Sequence, residues 1–337
     1  RQRQMCIRDR DKVMSKLLVR KKIGKFFLMV VLVVLLLGTI LQAVFRHFEI
    51  KKINELAYGQ TVNVDGRKMK VEVVGNGTKT IVILPALGVP SPILEFRQLA
   101  GLLSEHFTVI TIEPFGYGLS DGTDKERSIE NISEELHTCL EILGYPEYYL
   151  LSHSIYGAYS IYYSNQYPNE VKGIIGLDSS VPGMYSDIPA VINFLEDIFP
   201  YVGKVKTTVG LSRFTLLFNP DFGIPAVDGY EWTSEEKKLS KWITLDKAYN
   251  KTVMDEVKRS KDNLNQMEEL KFSENTPVLY FLSENNLEMF STWKKIHEDL
   301  IQEKERSNIV PLSGNHYVYY KHGPEIAKTV TDWILND

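Results

Sequence analysis

The sequence predicts an α/β domain, with a mostly parallel sheet and helices on both faces, behind one N-terminal transmembrane helix. Three observations predict it. From about Gln60 onward, short apolar runs alternate with amphipathic ones. The first two runs are joined by Asp65-Gly66, a hairpin turn signal. Phe26 to Phe45 carries no charge at all. A hairpin followed by repeated strand–helix units is the order that builds a parallel sheet covered on both sides.

The segment FFLMVVLVVLLLGTILQAVF, 26–45, is interrupted only by Gly38, Thr39 and Gln42. About 20 such residues in a helix cross a hydrocarbon core of roughly 30 Å. Lys16, Arg20, Lys21, Lys22 and Lys25 precede it, whereas Arg46, Lys51 and Lys52 after it are offset by Glu49 and Glu55. The positive-inside bias then places residues 1–25 in the cytoplasm and the remainder outside it, on a single-pass protein of the cell membrane. A cleaved signal peptide is the rival reading, but its apolar region would be unusually long and Leu41-Gln42-Ala43 is a poor cleavage site. An uncleaved signal anchor is therefore expected. The first ten residues, RQRQMCIRDR, resemble translated sequencing-adapter read-through, in which case Met14 or an upstream codon is the start. They are left out of the fold prediction.

The elements follow in order. Thr61–Val64 and Lys68–Val74 read as the hairpin, Thr80–Leu84 as a buried strand, and Pro92–His106 as an amphipathic helix. Phe107–Ile112 is the next strand, and Ser128–Leu143 a helix with Ser128 as N-cap. Tyr148–Leu151 is a strand, Ile155–Tyr167 a helix, and Val171–Leu177 a further strand. Pro277–Leu282 and Asn308–Pro311 complete the strands, with helices at Leu287–Glu303 and Pro324–Leu335. Between them, 181–275 breaks the alternation with three helical patterns: Ile188–Phe199, Ser234–Ala248 and Val253–Leu270. An insertion of that size between strands predicts a helical cap over a core formed by 60–180 and 276–337. Its many aromatics (Phe194, Phe199, Tyr201, Phe214, Phe218, Phe222, Tyr230, Trp232, Trp242) are expected to form mostly the cap's own core, with the rest lining an apolar pocket beneath it.

Composition excludes several function classes. A net charge of −4 with no basic run in the C-terminal part leaves no electrostatic footprint for nucleic acid. Cys6 and Cys139 fall on opposite sides of the predicted membrane, so no disulfide framework is expected, and Cys139 reads as a small core residue. No HExxH, CxxC or carboxylate cluster suggests a metal, and no cofactor is implied. Gly116 and Gly118 are turn formers, because the third glycine of a dinucleotide fingerprint is replaced by Asp121.

Leu151-Ser152-His153-Ser154-Ile155-Tyr156-Gly157 sits where a buried strand turns into a helix. A serine on such a sharp turn exposes its hydroxyl above the sheet edge, and the helix N-terminus behind it offers N–H groups to a developing oxyanion. Ser154 is thus the candidate nucleophile. Its flanks depart from the small-x-Ser-x-small pattern at Tyr156, which would have to lean out of a close contact that glycine makes freely. Ile83-Leu84-Pro85-Ala86-Leu87-Gly88 ends a strand where a second oxyanion donor is needed. Glu113-Pro114-Phe115-Gly116-Tyr117-Gly118-Leu119-Ser120-Asp121 follows the next strand, and Gly314-Asn315-His316-Tyr317 precedes the last helix.

With the serine turn in place, the three other motifs, in their order along the chain, resemble the α/β-hydrolase fold, specifically its capped serine hydrolases of the proline-iminopeptidase, epoxide-hydrolase and esterase-like group, over roughly residues 60–337. The resemblance implies His316 as general base and the N–H groups of Leu87 and Ile155 as oxyanion donors. It departs from the pattern at Pro85-Ala86-Leu87, where His-Gly-x is usual, and at the triad acid, where Asn286 stands in place of Asp. Asp178, at the end of an earlier strand, and Glu284, in the usual loop, are the two carboxylates that could serve, and the absence of a working acid is the third reading. His153 beside the nucleophile is expected to pack rather than react, and His322 to cap or lie at the surface. His47, His106, His137 and His297 are expected to be solvated.

Ser at the elbow argues against dehalogenase or epoxide-hydrolase chemistry, which uses a carboxylate nucleophile. The expected function is a membrane-anchored serine hydrolase acting on an ester, amide or thioester of apolar or mixed character. A non-catalytic binding protein on the same fold and an acyltransferase are the alternatives.

Overall fold

The computed structural model describes residues 2–56, 58–184 and 190–336, apart from the side chains of 2–13, 15–19 and 190–196. Eight strands form one sheet: β1 Gln60–Val64, β2 Arg67–Val74, β3 Thr80–Leu84, β4 Thr108–Glu113, β5 Tyr148–His153, β6 Val171–Leu177, β7 Val278–Ser283 and β8 Asn308–Leu312. Their spatial order is β1-β2-β4-β3-β5-β6-β7-β8. β2 runs antiparallel to β1 and β4, and the strands from β4 through β8 are mutually parallel. Asp65 and Gly66 both take positive φ, as a two-residue hairpin turn requires.

The central strands are buried along their whole length, so alternate residues feed two cores. Val82, Leu84, Ile110, Leu150 and Ile174 point to one face. Ile81, Ile83, Val109, Leu151 and Ile175 point to the other. This explains why the sequence shows continuous apolar runs here instead of alternation. The first face is covered by α4 Ile129–Leu143, α5 Ile155–Gln166 and α11 Trp293–Leu300; the second by α3 Arg97–Leu103 and α12 Val318–Leu335. Ser128 accepts from the Asn131 N–H at the start of α4, the expected N-cap. Cys139 is buried in the first core, where desolvation pushes its thiol up to about 12.

Three predicted helices come out differently. Pro92–His106 is two pieces, α2 Pro92–Glu95 and α3, because the fully buried Phe96 leaves helical ψ and turns into the second core. Leu287–Glu303 is likewise split, into α10 Glu284–Met289 and α11, and it starts earlier because Ser283 caps it. The last helix starts at Val318 and kinks at His322, just ahead of Pro324. The His322 side chain bridges that kink, with Nδ1 2.9 Å from Glu325 and Nε2 2.9 Å from the Ser313 carbonyl.

Between β6 and β7 lie α6 Ala190–Thr208, α7 Leu211–Phe218, α8 Ser234–Lys247 and α9 Lys251–Gln266. α7 has no counterpart in the sequence prediction. The expectation of an aromatic cap core is corrected. Leu239, Ile243, Leu245 and Leu264 are buried there, whereas Phe199, Tyr201, Phe214 and Phe218 are exposed and Phe222, Tyr230, Trp232 and Trp242 only half-buried. The Phe194 side chain lies outside the described residues.

The N-terminal helix α1, Gln2–Glu55, runs straight through the apolar segment. Arg20–Glu55 is long and apolar enough to cross a membrane by length and composition, with mean hydropathy 2.8 over its best window and 6% of that window buried. Its last turns join the folded domain, where Ile53 packs with Leu94, Leu239 and Ile243.

Core and cap are tied together by a buried ionic cluster. Arg127 Nη1 donates to Glu135 at 2.6 Å with both side chains sealed from solvent. Asn263 of α9 donates to the Arg127 carbonyl and to Tyr159, and accepts from Ile129 N–H. Removing one member of such a pair strands a buried charge. Arg127→Met is therefore expected to lower unfolding free energy by roughly 3–5 kcal/mol in urea titration, and adding Glu135→Leu to recover part of that loss.

Candidate active site

Ser154 sits between β5 and α5 with φ +56°, a conformation costly for any residue with a Cβ. Three backbone hydrogen bonds hold it there. Its N–H donates to Leu177, and its carbonyl accepts from Gly157 at 2.9 Å and Ser180 at 2.8 Å. The close helix–strand approach that the flanking pattern assigns to position 156 falls instead to Gly157, where a Cβ would stand 2.2 Å from Ser179 Oγ. Tyr156 is consequently free to turn inward. It is fully buried, edge-on to Tyr117 at 6.3 Å and 5.2 Å from Tyr159, which corrects the expectation that it must lean out.

His316 Nδ1 lies 2.7 Å from Asp178 Oδ2. Asp178 is fully buried at the end of β6, with φ +41°. Its other partners all donate: Ser283 N–H to Oδ1 at 2.8 Å, Ser283 Oγ to Oδ2 at 2.8 Å and Asn286 Nδ2 to Oδ2 at 2.7 Å. A carboxylate removed from water is stable only when donors replace the lost solvent, and here four do. The loop that by resemblance should supply an Asp supplies donors to Asp178 instead. Glu284 stands exposed on the first turn of α10. Of the two carboxylates weighed in the sequence, the geometry joins Asp178 to the histidine.

Ser154, Ile155, Leu87 and His316 line a single cavity of about 620 Å³. Ile155 opens α5, so its N–H has no acceptor within the helix. The Leu87 loop is tied down next door, where Gly88 N–H donates to the Tyr117 hydroxyl at 3.3 Å and Gly118 N–H to the Pro90 carbonyl at 2.7 Å. From the cap side, Phe199, Pro200, Tyr249 and Val253 close over the cavity, and Phe290 and Trp293 complete an apolar wall.

Two buried acids to which the sequence reading gave no role organise this neighbourhood. Glu113 ends β4 and accepts from the Tyr58 hydroxyl at 2.7 Å, Ser91 Oγ at 3.0 Å and Leu119 N–H at 2.7 Å. Its carboxylate fills the space over Gly118, where a Cβ would lie 1.9 Å away, which is why the motif needs glycine there. The signal in sequence was the acidic residue that begins the Gly-x-Gly motif. Glu95 of α2 accepts from Tyr319 at 2.9 Å and from Tyr320. No local pattern marks it, because its partners are more than 220 residues away.

The remaining histidines sort by burial. His153 is buried, its Nε2 3.1 Å from the His316 carbonyl, and desolvation together with His316 pushes its pKa well down, in keeping with a packing role. His47 and His106 are exposed, and His137 stacks on Tyr167. His297 contradicts the expectation of solvation. It is fully buried, with Nδ1 2.7 Å from the Trp293 carbonyl and Nε2 3.0 Å from the Ser179 carbonyl. Among the described residues no group of three or more His, Cys, Asp or Glu is placed to hold a metal ion.

The family model described as alpha/beta hydrolase fold matches residues 79–287, more than half of the chain. The chain belongs to the α/β-hydrolase fold family. It is 26% identical over 322 residues to the uncharacterized protein YbdG of Bacillus subtilis strain 168, covering 93% of this chain and 97% of that one. Among solved structures it resembles the epoxide hydrolase VrEH1 of Vigna radiata (16% identity, 84% and 99% of the two chains, TM-score 0.62). It also resembles a loop variant of the haloalkane dehalogenase DbeA of Bradyrhizobium elkanii (14% identity, 82% and 96%, TM-score 0.54). At these identities the structural likenesses establish the fold.

Burial pushes Glu95 up to about 7 from its ordinary 4.5, although the two tyrosine hydroxyls act the other way. An acid whose pKa is raised on folding keeps its proton in the native chain after the unfolded chain has lost it. Its stability contribution is therefore present below about 4.5 and lost as pH rises through about 7. Glu95→Gln is expected to flatten that decline by about 3 kcal/mol, read from urea melts on either side of the window. An unchanged slope would place the protonation elsewhere.

Proposed function

We propose that the chain is a membrane-anchored serine hydrolase that cleaves an ester, amide or thioester through an acyl-enzyme. The observation that carries this reading is the hydrogen bond from His316 to the buried Asp178, with His316 lining the same cavity as a serine held at positive φ. Family membership supports a hydrolase, and Ser154 in place of a carboxylate supports acyl transfer over the chemistry in the names of the epoxide hydrolase and dehalogenase neighbours.

In this mechanism His316 Nε2 takes the Ser154 proton as Oγ attacks the substrate carbonyl, and the N–H groups of Leu87 and Ile155 bind the resulting oxyanion. His316 then gives its proton to the leaving group as the bond to carbon breaks. Water, deprotonated by the same imidazole, attacks the acyl-enzyme, and the proton returns to Ser154. Asp178 accepts the Nδ1–H throughout, fixing the tautomer and offsetting the imidazolium charge. Asn286 and Ser283 position Asp178. No cofactor takes part. The working division of the chain is 1–25, the anchor 26–45, the core 60–180 with 276–337, and the cap 181–275.

A fluorophosphonate is expected to attach to Ser154 in the full-length chain, located by peptide mapping, and to be lost in Ser154→Ala and His316→Ala. Asp178→Asn is expected to slow ester turnover by about 10³–10⁴-fold, with Glu284→Gln near wild type. A folded protein that takes no label would overturn the mechanism in favour of a binding role.

The flanking charges support a catalytic domain outside the cytoplasm. In intact cells it is expected to be cut by added protease, and a domain protected until the cells are lysed would reverse the orientation.

A further inference from the structure

The three interruptions in the apolar run of α1 all lie on the side that meets the cap. Gly38 touches the α6–α7 turn backbone to backbone: a Cβ there would be 2.4 Å from the Val209 carbonyl, and one on Gly210 would be 2.6 Å from the Gly38 carbonyl. Gln42 is buried and accepts from Arg213 Nε of α7. Thr39 and Gln42 line a cavity of about 600 Å³ shared with Lys204 and Thr207 of α6. Arg213 reads one face of α1 further up, lying over the Phe45 ring at 5.1 Å and pairing its guanidinium with Glu49 at 2.8 Å. The catalytic domain is therefore clamped to the anchor helix by direct contact of α1 with the cap.

That clamp fixes a depth. Gly38 lies seven residues before Phe45, about 10 Å along the helix, so the α6–α7 turn sits well below the end of the apolar run. The side chains that the two helices leave uncovered match such a setting. Phe199, Val202 and Val205 on α6 and Phe214, Leu217 and Phe218 on α7 recur at helical spacing and are exposed, Leu217 by 73% and Phe218 by 88%. Lys204 lines the cavity that runs along α1 from Thr39 to Ile50, and its long side chain can carry the amine toward the Arg46 end of that cavity.

We propose that the α6–α7 hairpin is a second membrane element, inserted into the same leaflet as the C-terminal half of the anchor and covered by lipid acyl chains. The proposal rests on α1 spanning the bilayer. The occupant is lipid because the patch is continuous with the apolar segment of α1 through the Gly38–Gly210 contact, and because the polar side chains of that segment are satisfied within the protein, Gln42 by Arg213 of the cap and Thr39 by the Leu35 carbonyl of its own helix. Phe199 belongs both to this patch and to the wall of the cavity over Ser154. The mouth of the site therefore faces the bilayer, and the substrate class is an acyl compound dissolved in it.

The test uses the full-length chain with Cys6→Ser, Cys139 being buried, in phosphatidylcholine–phosphatidylglycerol vesicles. A single cysteine carrying an environment-sensitive fluorophore replaces Phe199, Leu217 or Phe218, with Val33→Cys reporting on the anchor and Ile142→Cys on a solvent-exposed helix of the core. Spin-labelled lipid is expected to quench the probes at 199, 217, 218 and 33 and to leave 142 bright. Quenching at 33 with probes at 217 and 218 that remain in water would overturn the hairpin insertion alone. Probes at 217 and 218 shielded from water but not quenched by lipid would assign the patch to a second copy of the chain and also overturn it. Absence of quenching at 33 would overturn the anchor reading on which the proposal stands.

Discussion

A buried carboxylate at the end of β6 must be matched by donors, and Asp178 draws them from two separate stretches of chain. Ser283 comes from the end of β7, Asn286 from the first turn of α10 and His316 from the loop before α12. Because one oxygen accepts from all three side chains, the loops converge on a point. The positive φ of Asp178 turns its side chain toward them, and its own N–H is satisfied by the Phe281 carbonyl at 2.7 Å. The imidazole is thus positioned by the sheet itself, from strands whose packing is fixed on both faces, and inherits their rigidity.

The same economy of buried polar groups runs through the rest of the neighbourhood. Glu113 holds Tyr58, Ser91 and the Leu119 amide, and so fixes the Gly-x-Gly loop beside the cavity. Glu95 holds Tyr319 and Tyr320 and so fixes the start of α12 behind His316. Arg127, Glu135 and Asn263 join core to cap. Each group would be costly alone, and each is tolerated because its partners come from elements that the fold needs to bring together. Strain at Ser154 is maintained in the same way, by backbone hydrogen bonds to Leu177, Gly157 and Ser180.

The contact between α1 and the cap changes how the N-terminal helix is understood. A hydrophobic run flanked by charges reads as a passive tether, yet its few polar and small residues are the ones that meet the cap. Gly38 allows the backbones to touch, and Gln42 finds a donor in Arg213, as an amide inside an apolar span requires. In the proposed mechanism this geometry sets both the orientation of the active site and the phase from which it draws substrate.

Much of the architecture was legible from local pattern. The strands, the hairpin turn, the serine on its strand-to-helix turn and the histidine loop depend on residues close together in sequence, where apolar periodicity and glycine placement carry the signal. The segmentation of α2–α3 and α10–α11 was not legible, because Phe96 and the Ser283 cap break those helices in response to distant packing. Nor was the cap core, since exposed aromatics and buried ones look alike until the surface they face is known. The partner of His316 shows the division most clearly. Sequence narrowed it to two carboxylates or none, and only the tertiary structure, by bringing the end of β6 beside a loop more than 130 residues later, joined Asp178 to the imidazole. What the chain by itself determined was which residue types stand at each turn. Which of them meet was decided by how strands distant in sequence lie side by side, since a hydrogen bond depends on separation in space and an amino-acid pattern records only separation along the chain.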